Sequence, residues 1–92
     1  MTRSFNHKGL KRLYQRDEAK LIPPSMLATV REILSLLENA DTLEALNLPG
    51  YRLHTLKPVS KHYYAMDVTG NWRIIFRFEK GDVYDVELID YH

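Results

Sequence analysis

The sequence predicts an α+β fold, with helices first and an antiparallel sheet after them. Three observations lead there. Between Pro24 and about Ala40 apolar residues recur at helical spacing, with Leu27, Val30, Leu34 and Leu37 at i, i+3, i+7 and i+10. After Gly50 the period changes to two, in stretches rich in aromatic and β-branched residues. Two of those stretches, WRIIFRF and VYDVELIDY, flank EKGD, a hairpin signal. Each element must bury one apolar face, so two helices covering one face of a sheet of three or four strands satisfies both patterns.

The elements follow in order. TRSF reads as a short opening strand, weakly specified. In HKGLKRLYQRDEAK, Leu10, Leu13 and Tyr14 sit at helical spacing in a basic background. Pro23-Pro24 is expected to stop that helix and to suit the entry to the next. The second helix carries Arg31, Glu32 and Glu38 on its polar surface, and Asp41 is placed to cap one further turn, TLEAL, before NLPG breaks it. YRLHTLK and HYYAMDVT then read as strands. No repeat, low-complexity tract or linker interrupts the chain, so residues 1–92 are expected to form one domain.

Side chains suggest the register of the last hairpin. Pairing Arg77 with Asp85 sets Phe78 opposite Tyr84, Phe76 opposite Val86 and Ile74 opposite Leu88. One face is then wholly apolar, whereas a one-residue slip puts Phe78 against an acid. The same register sets Arg73 across from Ile89, with Tyr91 diagonal to it. Asp90-Tyr91-His92, which would otherwise read as a frayed end, is thereby expected to be held beside an arginine.

Composition narrows the function classes. With 45% hydrophobic and 11% aromatic residues the chain is globular. It has no cysteine, so disulfides and thiol chemistry are excluded, which suits a reducing cytosol. The opening MTRSFNHKGLKRLY lacks the apolar core of a secretory signal, and no stretch approaches ~18 apolar residues, so a cytoplasmic protein without membrane spans is expected. The net charge of +1 hides a segregation: residues 1–31 carry seven Lys/Arg against two acids, and residues 51–77 five against one. Acids dominate 32–50 and 78–92. If folding joins the basic segments, they form a positive surface suited to phosphate backbones; otherwise they form salt bridges with the acidic ones.

The chemistry-bearing residues are His54 and Lys57 in LHTLK, Arg73 in NWR, and the terminal Asp90, Tyr91 and His92. Cleaving RNA without a metal needs a base for the ribose 2′-hydroxyl, cations for charge growing on phosphorus, and an acid for the departing 5′-oxygen. Histidine titrates near neutrality, arginine offers a fork that fits phosphate oxygens, and tyrosine stacks on unpaired bases. Taken singly, each has a bland alternative that outweighs it: a half-buried strand histidine, a solvated lysine before Pro58, an arginine paired with Glu87 or Asp90, a frayed tail. The four histidines, His7, His54, His62 and His92, form no recognised metal-ligand spacing. No phosphate-cradling glycine loop or G-x-S-x-G turn is present. Metal-free His/Lys/Arg chemistry is what remains for an enzyme, with no cofactor.

The chain resembles, from end to end, the HigB-type toxins of the RelE superfamily. The resemblance is carried by RSFNHKGLKRLY, by ALNLPGYRLHTLK, by Y-x-x-x-V-x-x-N-W-R-I-x-F and by the terminal DYH, the last two being the specific parts. It implies a compact microbial-RNase fold, with two N-terminal helices on a curved, mainly antiparallel sheet. It also implies a toxin of a type II toxin–antitoxin pair, acting as a ribosome-dependent endoribonuclease on mRNA in the A site. The implied partner is a HigA-like helix-turn-helix antitoxin, through which the complex binds operator DNA.

Carried over residue by residue, the family's active-site set falls on His54, Lys57, Arg73, Asp90, Tyr91 and His92. His92 is then a general acid or base with His54 as counterpart. Lys57 and Arg73 hold the phosphate, Asp90 orients a neighbour, and Tyr91 positions a base. The chain departs from some relatives at Thr69 and Gly70, where they carry a basic or amide residue, so one RNA contact can be missing. Two alternatives stay open: a ParE-like toxin of the same fold directed at gyrase, from which the His54, Lys57 and His92 combination distinguishes this chain, and an inactive homologue that only binds antitoxin.

Overall fold

The structure, a computed structural model, describes residues 1–56 and 62–90. Within them the chain is α+β, as the change of period predicts. Helix α1 spans Lys8–Arg16 and helix α2 Leu27–Asn39. Four strands follow, β1 (His54–Thr55), β2 (Tyr63–Asp67), β3 (Trp72–Glu79) and β4 (Asp82–Asp90), in the spatial order β1-β2-β3-β4 with every neighbour antiparallel. Leu10 and Leu13 of α1 and Val30, Ile33, Leu34 and Leu37 of α2 join Met66, Ile74, Phe76, Val83, Val86 and Leu88 of the sheet in one buried core. Phe76, fully buried at its centre, is a residue whose truncation costs about 3–5 kcal/mol.

Helix α1 is shorter than its pattern suggests. His7 caps it, its Nδ1 accepting the Leu10 N–H at 3.1 Å. It ends because Asp17 turns left-handed (φ 55°), which Asp tolerates better than most residues, and returns its N–H to the Leu13 carbonyl at 3.1 Å. The prolines therefore do not stop α1; Pro24 opens the 3-10 turn Pro24–Met26 that leads into α2. The further turn is present at Leu43–Leu46, but Thr42 caps it, its hydroxyl accepting from the Ala45 N–H, and Asp41 does not. The opening segment is no regular strand. It runs parallel to β4 through bridges at Thr2–Val83 and Phe5–Val86.

The strand expected in YRLHTLK is cut short. Pro49–Tyr51 forms a 3-10 turn and Arg52 is left-handed (φ 47°), which leaves only His54 and Thr55 paired with β2; Lys57 lies outside the described residues. The β3–β4 register is as expected for Arg73–Ile89 and Ile74–Leu88, and it departs nearer the turn. There Arg77 faces Tyr84, not Asp85, and Phe78 faces Val83, not Tyr84. The turn explains the shift. Lys80 and Gly81 both have positive φ (51° and 82°), the requirement of a two-residue type I′ hairpin, so Glu79 must face Asp82. A bulge with Asp85 left-handed (φ 57°) absorbs the extra residue, and Val83 and Val86 both stay buried. Gly81 fits this corner for a second reason: a Cβ there would lie 3.3 Å from the Asp41 carbonyl oxygen.

Candidate active site

The sheet registers decide which candidate residues can meet. His54 pairs with Ala65, and Ala65 with Ile75; Asp67 pairs with Arg73, and Arg73 with Ile89. By the alternation of the pleat these rows share the face turned away from the helices, since Met66, Ile74 and Leu88 occupy the other. His54 and Arg73 therefore lie on one face, two strands and two residues apart, about 12 Å between Cα atoms by ordinary sheet spacing. Asp90 pairs with Trp72, one row beyond Arg73, so its side chain leaves the sheet on the opposite face at the open end of the hairpin. Arg73 has a carboxylate partner that sequence did not offer, Asp67 of β2. Tyr91 and His92, like Lys57, lie outside the described residues.

The ring bond of His54 selects one tautomer of the neutral imidazole. Its Nδ1 stands 2.6 Å from the Arg52 carbonyl oxygen. A carbonyl can only accept, so Nδ1 carries the hydrogen and the neutral ring presents its lone pair at Nε2. Holding one nitrogen to orient the other is what a general base needs. His54 also contributes to a cleft of about 260 Å³ between β1 and the Leu43–Leu46 turn, lined further by Asn47, Glu44, Leu53 and Tyr64.

Arg73 is held more tightly. Its side chain is 12% exposed, and its Nε lies 2.8 Å from Asp67 Oδ1 in an ion pair whose alignment falls short of a hydrogen bond. Its Nη1 donates to the carbonyls of Thr69 (3.2 Å), Gly70 (3.1 Å) and Trp72 (3.3 Å) in the β2–β3 turn. Thr69 and Gly70 thus supply backbone anchors for Arg73. The other oxygen of Asp67 accepts from Arg52 Nε at 2.5 Å. That hydrogen bond and the adjacent negative charge raise the pKa of Arg52 further.

Arg52 and Asp67 were missed by sequence reasoning. A signal existed: continuing the His54–Ala65 register by two residues places Arg52 across from Asp67, which faces Arg73 in turn. Reading it needs the pairing of three strands, one of them two residues long.

A second charged feature lies on α1. Lys8, Lys11, Arg12, Gln15 and Arg16, at i, i+3, i+4, i+7 and i+8, line a shallow groove of about 260 Å³. Among the described residues only Arg16 of this stripe has a carboxylate at ion-pair distance, Glu18 at 4.0 Å. Elsewhere basic and acidic segments form salt bridges, Arg3 with Asp82 and Arg77 with Glu79 and Asp85, so each reading of the charge map holds for part of the molecule. Among the described residues no helix is long and apolar enough to cross a membrane, and no three His, Cys, Asp or Glu are grouped to hold a metal ion.

Comparison with known proteins decides the family. Residues 3–92 match the HigB-like toxin family, described as RelE-like toxin of type II toxin-antitoxin system HigB. The chain belongs to this HigB-like toxin family. A curated relative, the endoribonuclease HigB of Proteus vulgaris, is 36% identical over 92 residues, covering all of both chains. Membership carries an antitoxin as partner, because the family consists of the toxins of such pairs.

Proposed function

We propose that this HigB-like toxin is an endoribonuclease that cleaves mRNA on the translating ribosome, in the cytoplasm, without a metal or other cofactor. The observation that carries the reading is His54: its Nδ1 rests on a carbonyl and its Nε2 is left for proton transfer, on the sheet face that also holds Arg73. The full-length likeness to a relative named as an endoribonuclease supports it.

In the proposed mechanism His54 and His92 divide the acid and base roles, one taking the 2′-hydroxyl proton and the other returning a proton to the 5′-oxygen. Lys57 and Arg73 stabilise the negative charge on the phosphate, Asp90 orients a neighbouring group, and Tyr91 positions a base by stacking. The cationic groove of α1 supports docking on ribosomal RNA, an attraction that is independent of sequence and weakens with salt. Ribosome-held mRNA supplies the alignment that a domain of this size lacks room to impose alone. The antitoxin is proposed to be HigA-like, with a helix-turn-helix through which the pair reaches operator DNA.

Primer-extension mapping of mRNA ends after inducing wild type, His54→Ala or His92→Ala tests the proposal. In-frame cuts that require translation and vanish in both variants are expected. Growth arrest without cuts, or cuts indifferent to both substitutions, overturns it.

A further inference from the structure

The residue two before His54 does two things at once. The left-handed backbone at Arg52 (φ 47°), a conformation that costs a non-glycine residue about 1 kcal/mol or more, leads the chain into β1. The Arg52 carbonyl then meets His54 Nδ1 at 2.6 Å, while its side chain crosses to Asp67 Oδ2 at 2.5 Å. Ion pairs as exposed as this one contribute at most about 1 kcal/mol, so stability alone accounts poorly for the arrangement.

The two arginines on Asp67 differ in what they present. Arg73 is 12% exposed and its Nη1 already serves three carbonyls. Arg52 is 64% exposed, and Asp67 is its one recorded partner among the described residues, engaged through Nε. Its two terminal nitrogens therefore form the outward edge of a network with two cations and one carboxylate, next to the proposed base. A guanidinium held at Nε with both Nη groups outward is arranged for two-pronged contact with a phosphate.

We propose that Arg52 is a phosphate-binding residue of the RNA site, held toward the backbone of the strand being cut by Asp67, a positioning residue that Arg73 anchors from beneath. The inference rests on the ribonuclease reading above. In it Arg73 contributes charge and rigidity, and Arg52 makes the direct contact. Asp67 costs the site one negative charge and in return fixes the azimuth of a long, flexible side chain.

The test is single-turnover cleavage of mRNA on programmed ribosomes by the full-length protein, across a range of KCl concentrations. Arg52→Asn removes the charge and suits a left-handed backbone; Arg52→Lys keeps the charge and loses the fork. For Arg52→Asn the expected result is a tenfold or greater loss of rate at subsaturating ribosome. The slope of log rate against log salt should also flatten by about 0.7, the value of one lost single-strand phosphate contact. Arg52→Lys should keep the wild-type slope and recover only part of the rate, and Asp67→Asn should slow cleavage with the slope retained. Wild-type rate and slope in Arg52→Asn overturn the inference. So does a slower Arg52→Asn whose melting temperature falls while its salt slope is unchanged, because Arg52 then serves only the scaffold. If wild type does not cut, the ribonuclease reading itself fails; if wild type cuts, His54→Ala is inactive and Arg52→Asn is normal, only this inference does.

Discussion

Two carboxylates on the same face of the sheet, Asp85 and Asp67, each gather cations, and they differ in the partners that use their oxygens. Asp85 sits in the bulge of β4. Its Oδ2 accepts from Tyr63 Oη at 3.1 Å and Arg77 Nε at 3.3 Å, and its Oδ1 from Ser4 Oγ at 3.2 Å. Its own N–H donates to Ser4 Oγ at 2.8 Å. Arg77 is covered further, stacked 4.3 Å above the Tyr84 ring and paired with Glu79. Among the described residues the partners of Asp67 are two arginines, and the outer one is 64% exposed. Asp85 joins β2, β3, β4 and the N-terminal segment into one piece, so its polar capacity is used within the fold. Asp67 leaves a cation edge facing out beside His54. The same ion-pair chemistry makes scaffold where it closes and, in the reading proposed above, a ligand site where it stays open.

The comparison is broken most severely at His54. His54→Ala should lower cleavage by about 10²–10⁴-fold, the usual contribution of a positioned acid or base, with the melting temperature near that of wild type. A catalytic loss accompanied by a large fall in melting temperature would move His54 to the scaffold side of the comparison.

Asp85→Ala should act the opposite way. Removing an acceptor shared by Tyr63, Arg77 and Ser4 leaves partly buried donors unpaired, and alanine is strained at φ 57°. About 2–4 kcal/mol of stability should be lost by urea denaturation. Asp85→Asn, which tolerates that backbone and keeps an acceptor, should lose less. Equal losses in the two variants would mean that charge, and not backbone or hydrogen bonding, holds the bulge.

These two regions also show what the sequence made legible. Helix α2 and the apolar faces of β3 and β4 were readable because burial repeats with the period of the element. The hairpin register was readable at Arg73–Ile89 and misread at Phe78, because two local demands conflict and a bulge reconciles them. Side-chain matching favoured one register, while Lys80-Gly81 chemistry required another. At the site, residue types and the terminal DYH pointed to His54, Arg73 and Asp90 on the uncovered face or its margins; the pairing puts His54 and Arg73 on that face and Asp90 on the other. Arg52 and Asp67 were invisible because their meaning arises only when β1, β2 and β3 lie side by side. An arginine in a loop and an aspartate in a strand carry no signal until then.

The smallest effect concerns the cap that starts α1, away from both carboxylates. His7 accepts the Leu10 N–H through Nδ1, so protonation removes the cap. Burial lowers its pKa below the ordinary 6.5, outweighing the opposing pull of Glu87. The unfolded chain then binds the proton more readily than the folded one. The stabilisation is complete above pH 6.5 and drains as pH falls through the lowered folded-state value. His7→Asn keeps a side-chain acceptor at the cap and does not titrate. Wild type should therefore lose melting temperature relative to His7→Asn as pH drops from 7.5 to 5, and His7→Ala should be about 1 kcal/mol less stable than wild type at pH 7.5. Parallel curves for wild type and His7→Asn across that range would show that the cap does not sense protons. A flattened slope in His7→Asn would assign that share of the pH response to this helix start.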